Sequence, residues 1–325
     1  MKILITGGAG FIGSHLSELL LQDENTSVTV VDSLSTGTYR NIEHLVLHPR
    51  YRLIVAPVTE HAVMEPLVEA CDHVYHLAAA VGVRRIIEQP VETIQTNILG
   101  TEAVLGLCAK YHKKVLVAST SEVYGKNSKV PFREEDDSVF GATTKSRWSY
   151  ACSKAIDEFL ALAYHMEKGL PVVIVRFFNT VGPRQTGRYG MVIPNLVKQA
   201  LRGDALTVYG DGQQSRCFTH VKDSIRCQTA LMNEPRAVGQ VFNLGANEEV
   251  TIEMLARRII AMSGSHSELR FIPYDEAYGA GFEDMRRRVP SGEKVKKLLG
   301  FAPDSKLDDI LHDVIDYFRE HPELY

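Results

Sequence analysis

An α/β fold built on a doubly wound parallel sheet, with a smaller second lobe, is predicted from three observations. Short apolar runs alternate with stretches of helical periodicity through the first half of the chain. Those runs are rich in Val, Ile and Leu at successive positions, the pattern of parallel strands covered on both faces. After Asn179 the alternation breaks into short, Gly- and Pro-punctuated pieces.

In chain order, KILIT (2–6), SVTVVD (27–32), YRLIVA (51–56), HVYHLAA (73–79), KVLVAST (114–120) and PVVIVRFFN (171–179) read as strands. Between them FIGSHLSELLL (11–21), AVMEPLVEA (62–70), VETIQTNILGTEAVLGLCAKY (91–111) and SYACSKAIDEFLALAYHMEK (149–168) carry apolar residues at helical spacing. Beyond NTVGPRQTGRYG come a helix, VIPNLVKQALRG (192–203), and the short strands LTVYG (206–210) and RCFTH (216–220). A cofactor domain is expected over 1–178 plus about 221–262, and a second lobe over about 179–220 plus 263–325. The polar insertion 126–145 is expected to be the most mobile stretch.

Bulk properties narrow the function. The 325 residues are 45% hydrophobic and 23% charged, with a net charge of -4. No broad positive field is implied, so neither nucleic acid nor an anionic membrane is an expected partner. Five scattered cysteines, with no C-x-x-C spacing, suggest neither a metal site nor a disulfide framework. Met1 runs straight into a strand pattern and no apolar run approaches a membrane span, so a cytoplasmic protein is expected.

TGGAGFIG places Gly7, Gly10 and Gly13 after the first strand and at the start of the first helix. There a diphosphate can lie against backbone N–H groups at the positive helix end, where a Cβ would block its approach. Asp32 ends the second strand 19 residues after Gly13, positioned to bind both adenosine ribose hydroxyls and to repel a 2'-phosphate. The cofactor is therefore read as NAD, not NADP.

Tyr150 and Lys154 stand one helical turn apart, while Cys152, Ala155, Ile156, Phe159 and Ala163 form the apolar stripe on the other side. A phenol with an ordinary pKa near 10 is a poor base at neutral pH, and a nearby ammonium favours its ionised form. Such a pair can take a proton from an alcohol as hydride departs. Ser119, Thr120, Ser121 and Glu122 arrive at the carboxyl end of the fifth strand, where open α/β sheets place their chemistry.

Together T-G-G-x-G-F-I-G, Asp32, H-L-A-A at 76–79, S-T-S-E-V-Y-G at 119–125, Y-x-x-x-K, R-F-F-N, V-G-P-R, V-Y-G-D-G and R-R-x-P resemble the extended short-chain dehydrogenases acting on nucleotide sugars. The resemblance runs essentially end to end and implies a Rossmann domain. It implies that Tyr150 is the base, that Lys154 lowers its pKa and holds the nicotinamide ribose, and that Thr120 orients the sugar 4-hydroxyl. Cofactor contacts are expected from Phe11, Ile12, Ser33, Thr36, Gly37, Val58, Leu77, Ala78 and Ala79 besides the glycines and Asp32. One departure is visible, since Ala56-Pro57 replaces the Gly-Asp that holds adenine in many relatives.

Three second steps follow oxidation at carbon 4 in such enzymes: epimerisation, 4,6-dehydration and decarboxylation. The segment T-S-E-V-Y-G around Glu122 resembles both the 4,6-dehydratases and the uronate decarboxylases more than the plain epimerases, and R-W-S-Y-A-C-S-K around Arg147 resembles uronate decarboxylases and apiose/xylose synthases. Glu122 suits chemistry beside a 4-ketone, and a substrate carboxylate next to it would raise one of the two pKa values. Arg147 and Arg288 offer planar forks for a carboxylate. The resemblance also implies diphosphate contacts from Asn179, Arg216 and Arg288, a base wrapped by Leu206, Val208 and Tyr209, and a homodimer joined through the helices after Pro90 and Arg147. Arg184 and Arg188 are weaker candidates. The expected function is UDP-glucuronate decarboxylation with NAD; a UDP-sugar 4-epimerase, a 4,6-dehydratase and a catalytically inactive NAD-binding regulator are the alternatives.

Overall fold

A computed structural model describes residues 1–187, 190–278 and 283–325. Its strands are β1 Lys2–Thr6, β2 Ser27–Asp32, β3 Tyr51–Val55, β4 His73–His76, β5 Lys114–Thr120, β6 Val172–Phe177, β7 Thr180–Val181, β8 Leu206–Tyr209, β9 Ser215–Cys217, β10 Thr219–His220, β11 Gln240–Leu244, β12 Glu249–Thr251, β13 Leu269–Ile272 and β14 Arg287–Arg288. The helices are α1 Phe11–Leu21, α2 His61–Ala70, α3 Val83–Glu88, α4 Pro90–Lys110, α5 Ser149–Lys168, α6 Val192–Arg202, α7 Val221–Asn233, α8 Ile252–Ser263, α9 Tyr274–Tyr278, α10 Glu293–Leu299 and α11 Leu307–Glu320.

Seven strands form one sheet in the order β11-β6-β5-β4-β1-β2-β3, every pair parallel. The order reverses between β1 and β4, which opens a crevice at the carboxyl ends of the strands. Alternate residues of each central strand serve opposite faces. Ile3 and Ile5 pack with α1 and α7, whereas Leu4, Val115, Val117 and Ile174 pack with α2, α4 and α5. That two-sided burial explains the uninterrupted apolar runs.

A second core joins α6, α8 and α11 with β8. Leu307, Ile310, Leu311, Val314, Ile315 and Phe318 give α11 an apolar stripe at helical spacing, and it closes on Ile193, Val197, Leu255 and Ile259. The expected boundary at about 262 therefore needs correction. The buried face of α8 packs with α6 and α11 and belongs to the second core, while α7 packs on the sheet through Ile225 and Leu231.

The insertion 126–145 is pinned rather than loose. Phe132 is fully buried, stacks on Tyr124 with centroids 4.5 Å apart, and accepts a hydrogen bond at its carbonyl from Ser291 N at 2.8 Å. An apolar anchor inside a polar segment is invisible to composition but decisive for order.

Candidate active site

A cavity of about 680 Å3 runs along the carboxyl ends of the strands and under the second lobe. Gly7, Gly10, Phe11, Ile12 and Gly13 line one end. Gly7 takes φ +74°, and a Cβ there would lie 2.7 Å from Ala78 N. At Gly13 a Cβ would lie 2.5 Å from Gly7 O. No side chain caps the start of α1, so its first N–H groups have no side-chain acceptor, and Gly10, Phe11, Ile12 and Gly13 line the cavity there. Backbone this closely packed forms a cradle for a diphosphate.

Asp32 stands at the cavity wall, its Oδ2 accepting from Ala9 N at 2.9 Å and its Oδ1 from Leu34 N at 2.8 Å. Burial pushes this carboxyl up from its ordinary value, against those two hydrogen bonds. Ser33 and Thr36 line the cavity as expected, and Gly37 does not. A Cβ at Gly37 would lie 2.8 Å from the Asp32 carboxylate, so the glycine makes room for Asp32 instead of meeting a ligand. Ala56, Pro57, Val58 and Thr59 supply a mostly apolar wall, and Leu77, Ala78 and Ala79 line the floor beyond the end of β4.

Tyr150 and Lys154 are buried at the middle of the same cavity. The apolar stripe of α5 faces the other way, with Ile156 46% and Phe159 75% exposed. The helix turns its polar face inward because that face finds partners there. Ser153 accepts from Asn97, Glu158 pairs with Arg176, and Lys154 Nζ donates to Asp157 Oδ2 at 2.7 Å. Only Ala155 of the expected stripe is buried among core residues.

Burial, then Glu122, then Asp157 push the Tyr150 phenol well above its ordinary value, and a hydrogen bond from Thr120 only partly opposes them. The ammonium is occupied by Asp157, one turn further along α5.

Glu122, at the end of β5, lies between two guanidinium groups. Arg147 Nη1 donates to its Oε2, and Arg288 Nη1 donates to its Oε1 at 3.3 Å. Burial alone would raise the Glu122 carboxyl, but Arg147 and Arg288 outweigh it and hold it at about 2. Arg147 is buried, and Asp284 connects it at 3.7 Å to Arg216 at 2.8 Å.

The second lobe contributes Asn179, Arg216 and Arg288, all on the cavity wall. Asn179 adopts φ +36°, its Nδ2 donates to Cys217 O at 2.9 Å, and its Oδ1 accepts from Arg288 Nη2. Leu206 and Val208 were expected at the ligand, but both are fully buried in the second core. Side chains alternate along β8, so Tyr209, which was expected there, faces the cavity together with Thr207. Arg184 points away, paired with Glu18 at 2.7 Å, and Arg188 lies outside the described residues.

Two functional neighbours escaped the sequence reading. Asp284 sits in the late segment GFEDMRRR and reaches the site only because β14 pairs with β9. Asp157 had a local signal, the i, i+3 spacing from Lys154, which an inward-facing α5 would have made informative. Among the described residues no cluster of His, Cys, Asp and Glu could hold a metal ion, and no helix is long and apolar enough to cross a membrane.

Comparison with known proteins follows the same lines. The family model described as GDP-mannose 4,6 dehydratase matches residues 4–314. UDP-N-acetyl-alpha-D-glucosaminuronate decarboxylase of Bacillus cytotoxicus is 42% identical over 320 residues, covering 98% of this chain and 98% of that protein. UDP-glucuronic acid decarboxylase 1 of Xenopus tropicalis is 40% identical over 324 residues, covering 99% of this chain and 73% of that protein. Among solved structures, the UDP-glucuronic acid 4-epimerase of Bacillus cereus, in complex with UDP-glucuronic acid and NAD, has a TM-score of 0.89 at 31% identity. That match covers 98% of this chain and 99% of the epimerase.

Proposed function

The chain belongs to the GDP-mannose 4,6-dehydratase family of extended short-chain dehydrogenases, and from that footing we propose that it is an NAD-dependent decarboxylase of a UDP-linked hexuronate. The observation that carries the reading is Glu122 held between Arg147 and Arg288 in the cavity that also holds Tyr150. Two fixed guanidinium groups suit a substrate bearing a carboxylate.

The glycine cradle and Asp32 fit NAD: the one accepts its diphosphate, the other its adenosine ribose hydroxyls, with Val58 against the adenine. When bound, NAD accepts the hydride of sugar carbon 4 and later returns it. In this reading Thr120 orients the 4-hydroxyl and Tyr150 takes its proton, with Lys154 at the nicotinamide ribose. Ser121 lines the same wall, where it would meet the sugar. The resulting ketone lies β to the carboxylate, so the bond to that carboxyl group can break, releasing carbon dioxide and leaving its electron pair as an enolate. Arg288 holds the carboxylate and helps deliver a proton to carbon 5. Asn179, Arg216 and Tyr209 take the nucleotide end.

The relatives named above act on glucuronate and on its N-acetylated 2-amino counterpart, so both UDP-sugars are the substrates to offer. Mass spectrometry of products across a panel of nucleotide sugars, with carbon dioxide trapped, tests the reading. Carbon dioxide and a UDP-pentose, or its 2-acetamido equivalent, are expected. UDP-galacturonate without gas would make the chain a 4-epimerase, and a 4-keto-6-deoxy product a dehydratase. No turnover with NAD bound would leave an NAD-binding regulator.

The same reading makes the protein a cytoplasmic homodimer. Ile156, Phe159 and Met166 on α5, with Val91, Ile94 and Leu99 on α4, are exposed apolar residues on two helices that pack side by side. Pairing these helices with their symmetry mates would bury them in a four-helix contact. The five cysteines are all free, which suits a reducing compartment.

A further inference from the structure

Lys154 and Asp157 form an ion pair sealed from solvent, with side chains 3% and 0% exposed. Lys154 lines the cavity; Asp157 stands behind it and does not. The pair is poorly arranged for stability. Asp157 Oδ1 has no hydrogen-bond partner within bonding geometry among the described residues, and replacing a buried ion pair by apolar groups of similar volume is often neutral or stabilising. Burial raises the Asp157 carboxyl, and Lys154 and Thr101 oppose that without reversing it.

A buried polar chain runs behind the pair. The Thr101 hydroxyl lies against the Asp157 carboxylate and favours its charged form. Thr101 Oγ1 is 3.1 Å from His76 Nε2, His76 Nδ1 is 2.8 Å from Thr6 Oγ1, and Thr6 Oγ1 accepts from Ala78 N at 3.3 Å. A carboxylate only accepts, so a Thr101 proton aimed at it leaves Thr101 Oγ1 to accept from His76 Nε2–H. His76 Nδ1 then accepts from the Thr6 hydroxyl. Every donor in the chain points toward Asp157, from the shoulder of the glycine cradle inward. His76 is neutral, held by burial and then by Lys154 at about 3.

From this geometry we infer that Asp157 is a positioning residue for the hydride step: it anchors the Lys154 ammonium and places a buried negative charge within reach of the Tyr150 phenol. The inference rests on Tyr150 being the base, which all three reactions of the family share. Besides Asp157, the charged and titratable groups facing Tyr150 and Lys154 among the described residues are Glu122 at the end of β5, Arg147 ahead of α5, Arg288 on β14 and His76 on β4, with Glu158 on α5 already paired to Arg176 on β6. Asp157→Asn keeps an acceptor for the ammonium and deletes the negative charge. Tyr150 then faces a more positive field, and its phenolate forms at lower pH.

Two measurements test this. The first is the rate of NADH appearance or product formation against pH. In Asp157→Asn the acid limb moves down by roughly half a pH unit or more, Asp157→Glu restores it, and Thr101→Val moves it the same way by less. A loss of folded protein alone would lower the plateau without moving the limb. An unmoved limb, or one shifted to higher pH, overturns the proposal. The second uses 15N-lysine-labelled protein without substrate or cofactor. The Lys154 ammonium, assigned by its loss in Lys154→Met, gives a slowly exchanging signal that broadens in Asp157→Asn and persists in Asp157→Glu. A signal indifferent to Asp157 would overturn the anchoring whether or not any sugar is turned over, so failure of the proposed reaction and failure of this inference are read separately.

Discussion

Arg288 on β14 donates through Nη1 to Glu122 Oε1 at 3.3 Å, tying the second lobe to the carboxyl end of β5. With Arg147 on the other oxygen, Glu122 is kept ionised down to about pH 2 by the chain itself. Glu122→Gln removes that charge and little volume. Release of carbon dioxide from a UDP-hexuronate is expected to fall by about 100-fold or more, while the NAD dissociation constant from calorimetry stays within about twofold because no cradle residue is touched.

Gly13 offers a test of the cofactor end. An added Cβ would lie 2.5 Å from Gly7 O and 2.6 Å from Gly8 Cα, both backbone atoms that cannot swing aside. Gly13→Ala should weaken NAD binding by roughly tenfold or more and cost about 1–3 kcal/mol of stability. Calorimetric titration and urea unfolding read the two effects apart.

His76 makes a prediction about acid. The fold lowers its pKa from 6.5 to about 3 by burial and by the nearby Lys154. Between those values the unfolded chain binds a proton that the folded chain refuses, so stability is full above pH 6.5 and falls as the pH drops. One such group contributes about 1.4 kcal/mol per pH unit across that window. His15, lowered to about 4 by burial and Arg184, acts in the same direction. His76→Gln should flatten, without abolishing, the loss of urea resistance between pH 6.5 and 4.5. A slope equal to that of the parent chain would show that His76 does not titrate on unfolding.

The outer face of α5 makes a prediction about assembly. Phe159 is the most exposed residue of its apolar stripe. Phe159→Glu places a charge where two copies would meet and is expected to convert dimer to monomer by light scattering on a sizing column, with secondary structure unchanged. A chain that is already monomeric at micromolar concentration would remove the basis for the paired helices.

Much of the site was readable in one dimension because its parts are local. The glycine cradle needs only β1, a turn and α1, and Tyr150 with Lys154 needs only one turn of α5. Periodicity failed where burial did not follow polarity. The stripe Ile156 and Phe159 looks like a core face and is exposed, while Lys154, Asp157 and Glu158 look solvated and are buried. Pairing explains the inversion, since each inward charge meets an opposite one. On β8, Leu206, Val208 and Tyr209 were read as ligand-facing, and the alternation of side chains puts Tyr209 at the cavity together with Thr207, and Leu206 and Val208 in the core.

The amino-acid order by itself determined the strands and helices of the sheet, the diphosphate cradle, Asp32 at the end of β2 and the phenol and ammonium one turn apart, because each depends on neighbours within a few residues. Tertiary structure alone decided which charges meet. Glu122, Arg147, Asp284, Arg216 and Arg288 come from the turn after β5, the turn before α5, the approach to β14, β9 and β14, up to 166 residues apart. Electrostatic interaction depends on distance through space and on burial, and neither is written along the chain.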